Sequence, residues 1–185
     1  DLRVRLVNGT PLPLSLHWCG LRGANAADGV AGLNTDAVAA GREGVFVTRV
    51  PDSGFFLGRP IVPGSSSELA ERGLSALLIV KEEKPPEVEA DIVLMIDDWL
   101  LGEDGTLAPF GSALEAAALG RLGNVLTTDG AAAPREFTAR PGSRVRLRLA
   151  NACNARILRI RFDGMRAFVA GIDSQPTDRF EPLQS

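Results

Sequence analysis

The feature of this sequence that most limits its fold is an alternation of apolar and basic residues with a period of two. Near the start of the chain Leu2, Val4 and Leu6 alternate with arginines, and the same alternation returns over residues 143–149. Successive side chains of a β-strand point to opposite faces, so this period is typical of strands with one face in a core. We therefore predict two strands here, with the arginines of 144–148 on a solvated face.

Short apolar runs separated by turn residues recur along the rest of the chain. Segments such as "NGTPLP", "VPDSG" and "RPGS" supply the Gly, Pro, Asn and Asp that are typical of turns. Many short strands joined by such turns indicate an all-β sandwich or barrel. Residues 67–73 and 112–120 predict short helices. The further predicted strands are 44–50, 75–80, 91–96, 124–127, 156–162 and 167–172.

A weak internal repeat predicts two domains. The opening "DLRVRLVN" is similar to "SRVRLRLAN" at 143–151, which suggests two copies of one β domain. Between them lies "KEEKPPEVEAD", whose charges and paired prolines are typical of a linker. We predict a first domain over 1–80, a linker over 81–90 and a second domain over 91–185. Small sandwiches hold about 100 residues, so we expect both domains to be incomplete, the first without its opening strands.

Composition excludes several classes of function. The net charge is −3, so there is no basic excess to neutralise phosphates, and we expect no nucleic-acid partner. No apolar run approaches the roughly 20 residues of a membrane span, so we expect none. The chain opens inside a strand pattern, and we expect residues upstream of it. Cys19 and Cys153 are too few to predict a disulfide framework.

The chain holds one histidine, His17, two residues before Cys19 in the segment "LSLHWCGLRG". On an extended segment this spacing puts both side chains on the same face. Imidazole and thiolate are both ligands for metal ions. A histidine in a β domain is nevertheless most often a hydrogen-bonded or surface residue, and cysteine often a small buried one. The pair alone leaves a metal site and a structural pair both open.

Longer segments around this pair resemble the multicopper oxidases, the laccase-like family. Its first copper motif, a strand ending in asparagine, then His-Trp-His-Gly and Asp-Gly, is similar to "VRLVNGTPLPLSLHWCGLRGANAADG". Its second motif is similar to "VPDSGFFLGRPIVPGSSSELAERGLSALLIV". The opening of its middle domain is similar to "DIVLMIDDWLLGEDG" and "GRLGNVLTTDG". The chain therefore resembles an N-terminal domain and the start of a middle domain of this family.

The resemblance implies a fold, a cofactor and a cellular location. The fold is cupredoxin-like, a Greek-key β-sandwich repeated in two incomplete domains. The family uses copper to oxidise small substrates and to reduce dioxygen at a three-copper cluster. The C-terminal cupredoxin domain, which carries the substrate-oxidising copper and other cluster ligands, is missing from this sequence. The resemblance also implies a periplasmic or secreted protein. Open strand edges favour pairing with another chain, so a homo-oligomer is a further expectation.

The resemblance implies four histidine ligands in this half of the protein, and the sequence keeps one. His17 matches the first histidine of the first motif, and Cys19 stands where the second is expected. In the second motif Arg59 and Ile61 align with the two histidines, around Pro60. Isoleucine cannot bind a metal, and arginine stays cationic and repels one. Three of the four ligands are therefore replaced.

Three functions remain open at this point. The first is a copper-dependent oxidoreductase of the multicopper lineage, with this chain itself unable to catalyse oxidation. The second is a copper-free cupredoxin scaffold or interaction module. The third is a binder of a single copper through the metal-site candidates His17 and Cys19. We assign no catalytic residue, and we interpret the adjacent Asp97 and Asp98 as strand-end and turn residues, not as an acid–base pair.

Overall fold

The computed structural model describes residues 1–111, 118 and 120–183. These residues form ten strands, one α-helix over Ser66–Glu71 (α1) and a short 3₁₀ turn over Asn25–Ala27. The strands are β1 (Leu2–Val7), β2 (His17–Cys19), β3 (Glu43–Thr48), β4 (Gly54–Arg59), β5 (Ala76–Val80), β6 (Ala90–Trp99), β7 (Val125–Thr128), β8 (Val145–Asn151), β9 (Phe168–Ile172) and β10 (Gln175–Pro182).

The all-β prediction is confirmed. Seven predicted strands are found, as β1, β3, β5, β6, β7, β8 and β9, with ends shifted by a few residues. The first predicted helix is α1, whereas the helix predicted over 112–120 falls largely outside the described residues. None of the described helices is long and apolar enough to cross a membrane.

The strands assemble into four small sheets. β1 pairs antiparallel with β3, β9 pairs antiparallel with β10, and β4 lies between β2 and β5. In the fourth sheet β6 lies between an antiparallel β7 and a parallel β8. Parallel neighbours need a long connection, whereas antiparallel ones need only a hairpin. The candidate site lies on the sheet β2–β4–β5, because β2 belongs to the segment that resembles the first copper motif and β4 to the segment that resembles the second.

Three strands were not predicted, and each lacks the alternating pattern. β2 has only three residues, and β10 contains two prolines and mostly polar residues. The inward positions of β4 are Gly54, Phe56 and Gly58, which are not uniformly large and apolar. Gly58 is required because a Cβ there would lie 2.9 Å from the ring of Trp18, which is its ladder partner on β2. Close packing of Trp18 therefore removes the pattern that predicts a strand.

The strand predicted over 156–162 is wrong. These residues are described, and they form no ladder with any described strand. Ile157 is 93% exposed, so its side chain contributes no buried face. Arg156 is instead used as a cross-link, because its guanidinium bonds to Asp98 and to the Gly123 carbonyl. Side-chain bonds, and not a β-ladder, therefore hold Arg156 in place.

The solvated face predicted for the β8 arginines is also wrong. The side chains of Arg146 and Arg148 are only 13% and 10% exposed, and both bond to the carboxylate of Asp91 on β6. The apolar partners Val145 and Leu147 are the more exposed residues of this strand. A carboxylate on the neighbouring strand has therefore reversed the faces that the alternation predicts.

The chain divides into two compact units that do not follow chain order. The first holds residues 1–66, 74–83 and 159–185, and the second holds 67–73 and 84–158. The predicted domain bounds at 80 and 91 stay a prediction. In the first unit Phe56 is fully buried, and Asn8, which directly follows β1, donates from its side-chain amide to the carbonyls of Leu12 and Val38. This asparagine fixes the turn that leads the chain towards β2.

Candidate metal site

His17 and Cys19 lie on β2 and face β4 across an antiparallel ladder. The register pairs His17 with Arg59, Trp18 with Gly58 and Cys19 with Leu57. Because paired residues share a face and residues two apart share it too, His17, Cys19 and Arg59 lie on one face of this sheet. The structure therefore brings together three of the four positions that the family motif singles out.

The imidazole of His17 is oriented by Asp28. Its Nδ1 lies 3.0 Å from the carbonyl oxygen of Asp28 and 3.1 Å from a carboxylate oxygen of the same residue. A carbonyl oxygen only accepts, so Nδ1 carries the proton and donates it. In the neutral ring Nε2 then keeps its lone pair. The His17 side chain is 24% exposed. A histidine that binds a metal through Nε2 needs this tautomer, with the proton on Nδ1 and an acceptor beside it.

Gly29 lets Asp28 reach the histidine. Its φ is +78°, in the left-handed region, and a Cβ at this position would lie 2.0 Å from the carbonyl oxygen of Leu16. Only glycine fits so close to the strand that carries His17. Asp28 was not singled out from the sequence as a site residue. Its signal was the Asp-Gly pair of the first motif, which requires a tight turn directly beside the histidine strand.

Cys19 is half-buried, and its thiol is held in the neutral form. Burial raises the pKa of the Cys19 thiol above 9.0, and the nearby charge of Arg59 lowers it only in part. The backbone of Cys19 is fixed separately, since its carbonyl accepts a 3.3 Å hydrogen bond from Ser174 Oγ. A neutral thiol is a poor copper ligand because the thiolate is the binding form.

Ile61, the fourth motif position, lies two residues beyond β4 and serves the backbone. Its carbonyl oxygen accepts from the buried Ser15 hydroxyl at 2.7 Å and from the Ala31 amide at 3.1 Å. Its side chain is a hydrocarbon and has no atom that can bind a metal ion. This position therefore contributes structure and no ligand.

Within the described residues, one cluster of three potential metal-binding side chains occurs, and it lies in the second unit. Ligand atoms of Asp97, Asp98 and Cys153 fall within 4.8 Å of one another, and all three residues are buried. Asp98 Oδ2 already accepts from the Gly123 amide at 2.6 Å and from Arg156 Nε at 2.8 Å. Burial and the adjacent Asp98 raise the pKa of the Cys153 thiol to about 12. These contacts are those of a structural clamp at the end of β6.

A copper cluster, which the family motif implies, can be tested against the donor atoms at His17. The described residues supply one imidazole, a neutral thiol and, directly across the ladder, a guanidinium. Copper sites of this kind need several imidazole nitrogens, and a permanent cation opposes a metal ion at short range. The residues present do not fit a three-copper cluster.

Known proteins resemble the chain over nearly its whole length. A family model described as multicopper oxidase matches residues 1–85. The chain is 24% identical to the multicopper oxidase MmcO of Mycobacterium tuberculosis over 204 aligned residues, which cover 95% of this chain and 40% of that protein.

Solved structures give the same result at higher identity. A multi-copper oxidase from Pseudomonas thermotolerans matches with a TM-score of 0.85 and 31% identity, covering 98% of this chain and 44% of its own. One from Pseudomonas parafulva matches with a TM-score of 0.85 and 34% identity, covering 99% of this chain and 44% of its own. The chain thus spans less than half the length of these relatives. Its fold is a cupredoxin-like β-sandwich, the cofactor of its relatives is copper, and the chain is similar over nearly its whole length to part of the multicopper oxidases.

Proposed function

We propose that this chain is a copper-free cupredoxin scaffold of the multicopper oxidase lineage and does not itself catalyse oxidation. The observation that carries the proposal is the ladder pair of His17 and Arg59, which sets a permanent cation opposite the one retained histidine. The next pair on the same face, Cys19 and Leu57, offers no imidazole either. An intact oxidase of this family would need ligands from a further domain, and ligands supplied elsewhere do not replace those changed here.

The proposed role is structural support or interaction with another protein chain. A cupredoxin fold does not by itself fix an activity, because function depends on the site it carries. Pairing between copies of the chain and a periplasmic or extracellular location belong to the same proposal. Pairing between copies is supported by the sheet β1–β3, whose two strands have no further ladder partner among the described residues. The location is carried over from the family resemblance alone.

A second candidate function is the binding of one copper ion through His17 and Cys19. The hydrogen bonds from His17 Nδ1 to Asp28 favour this function, because they leave the lone pair of Nε2 to bind a metal ion. Cys19 lies two residues away on the same face, and as a thiolate it would prefer the cuprous ion.

Copper content after loading and dialysis separates the two candidates. The wild type and His17→Ala are loaded with copper side by side, dialysed and analysed for copper per chain. Near-zero copper in both is the result expected for the scaffold. About one copper in the wild type, lost in His17→Ala, would replace the scaffold by the single-copper binder. Copper-dependent oxidation of phenols by the loaded chain would overturn the proposed absence of catalysis.

A further inference from the structure

We propose that Arg59 is the residue that excludes metal from this site, and that removing its charge allows His17 to bind a divalent copper ion. The proposal rests on the copper-free scaffold proposed above and names the cause of its metal-free state. The strand that carries His17 is still in place, and the proposal concerns the binding of a single copper ion there, not a rebuilt three-copper cluster.

The geometry of the ladder supports this assignment. Residues directly opposite in an antiparallel pair have Cβ atoms about 4.5–5.5 Å apart, and His17 and Arg59 are such a pair. Two imidazoles at these positions would converge on one ion from adjacent strands. The position of β4 does not depend on the Arg59 side chain, because β4 also pairs with β5 through five register positions.

His17 is already prepared as a ligand. The carbonyl and the carboxylate of Asp28 both lie within hydrogen-bond distance of Nδ1, which fixes the ring and directs Nε2 away from Asp28. A hydrogen-bond acceptor on the second ring nitrogen is the usual support of a metal-bound histidine. The Asp28 carboxylate also adds negative charge beside the ring, which favours a cation.

The charge of Arg59 opposes that preparation. A guanidinium is always positively charged in a protein, so it does not lose a proton and bind a metal ion as a thiol or an imidazolium can. Cross-strand partners lie close enough for like charges to repel, and in a partly buried site such repulsion reduces metal affinity on the order of tenfold or more. A neutral residue removes that repulsion, and a histidine both removes it and adds a donor.

The experiment compares Cu(II) binding by four variants and the wild type. The variants are Arg59→His, Arg59→Gln, Arg59→Lys and Arg59→His with His17→Ala, each also carrying Cys19→Ser so that the thiol does not reduce the probe. Arg59→Lys is the matched control because it keeps the positive charge. Affinity is measured by chelator competition, ligand type by nitrogen hyperfine structure in electron paramagnetic resonance, and folding by the urea midpoint.

The expected result is one Cu(II) bound by Arg59→His, at least about tenfold more tightly than by Arg59→Lys. The spectrum should show imidazole nitrogens, and His17→Ala should remove the ion. If folded Arg59→His binds no better than Arg59→Lys, or keeps its copper without His17, the inference is wrong while the scaffold proposal stands. Should Arg59→His fail to fold, Arg59→Gln replaces it, and affinity equal to that of Arg59→Lys overturns the inference. Copper bound by the wild type and lost in His17→Ala would overturn both proposals.

Discussion

The guanidinium of Arg156 bonds to the carboxylate of Asp98, with Nε 2.8 Å from Oδ2 in the second unit. The same Oδ2 accepts from the Gly123 amide, and the Gly123 carbonyl accepts from Arg156. Asp98 thus holds the segment before β7 and the segment after β8 against the end of β6. The Asp98 side chain is 1% exposed, so these contacts take the place of water around a buried charge.

Removing the charge of Asp98 should destabilise the second unit. We expect Asp98→Asn to lower the free energy of unfolding by about 2 kcal/mol, because Arg156 loses its charged partner while remaining partly buried. The change is measured from urea unfolding curves. Asp163→Asn is the control, since Asp163 pairs with Arg161 on the surface, where both side chains are more than 70% exposed. Equal losses in the two variants would contradict the clamp.

Gly29 should tolerate no side chain. Gly29→Ala places a Cβ 2.0 Å from the Leu16 carbonyl oxygen at a φ of +78°. We expect a loss of about 2 kcal/mol or more in the free energy of unfolding, because steric overlap adds to the cost of the left-handed backbone. Gly64→Ala measures the cost of the left-handed backbone alone, because its φ is +77° and no atom lies within 4 Å of the added Cβ. A Gly29 variant no less stable than the Gly64 variant would refute the close contact.

The two cysteines should react at different rates. Burial, reinforced by Asp98, raises the pKa of Cys153 to about 12, so this thiol stays neutral while the protein is folded. We expect iodoacetamide at pH 8 to modify the half-exposed Cys19 before the buried Cys153, with mass spectrometry of the digested protein as the readout. In urea both should react. Preferential modification of Cys153 in the folded protein would contradict its burial.

The same thiol gives a dependence of stability on alkaline pH. A neutral buried thiol favours the folded state in full below the unfolded pKa of 9.0, and this contribution is lost as the pH rises from there to about 12. Cys153→Ala should therefore unfold with a shallower loss of stability over that range than the wild type. Parallel slopes for the two proteins would show that Cys153 ionises as readily when folded.

Asp91 should stabilise the fold only above acidic pH. Partial burial acts to raise its pKa, but hydrogen bonds from Arg148 and Arg146 outweigh it and hold the pKa of Asp91 below 3.8. We expect Asp91→Asn to lose about 1 kcal/mol at pH 7, a modest value because the pair is partly solvated. The difference from wild type should shrink as the pH falls below 3.8 and Asp91 protonates.

Chemical unfolding at several pH values measures this dependence. Glu89→Gln is its control, since Glu89 lies 3.6 Å from an Arg140 side chain that is 88% exposed. A difference for Asp91→Asn that is the same at pH 7 and at acidic pH would show that ion pairing is not its cause.

The sequence predicted strands well where one face of the strand is buried and the other is exposed to solvent. β1 shows this, because its half-buried leucines and valine alternate with exposed residues. It failed for β4, where glycines accommodate Trp18, and for 156–162, where Arg156 bonds to a buried carboxylate. It also reversed the faces of β8, because the pattern does not reveal that Asp91 lies on the neighbouring strand. Those contacts join residues distant in sequence, and one strand's own period does not encode them.

At the candidate site the sequence predicted the residues but not their arrangement. His17 and Arg59 were singled out separately, from two motifs, and the ladder makes them direct neighbours. Asp28 was missed because its role depends on the tight approach of Gly29 to the histidine strand. Whether His17 and Cys19 bind a metal stays a prediction, since it depends on the balance of charge around one ring.

The turn at Ser174, between β9 and β10, contacts the sheet that contains β2 and β4. Its carbonyl accepts from the Phe55 amide at 3.0 Å on β4, and its hydroxyl bonds to the Cys19 carbonyl on β2. On a ribosome, residues 1–66 leave the exit tunnel well before residues 159–185, which belong to the same unit. During synthesis, the Phe55 amide and the Cys19 carbonyl therefore lack these hydrogen bonds until Ser174 has been added to the chain. Slow translation of the middle segment would lengthen that interval and expose the nascent sheet to chaperones or to neighbouring chains.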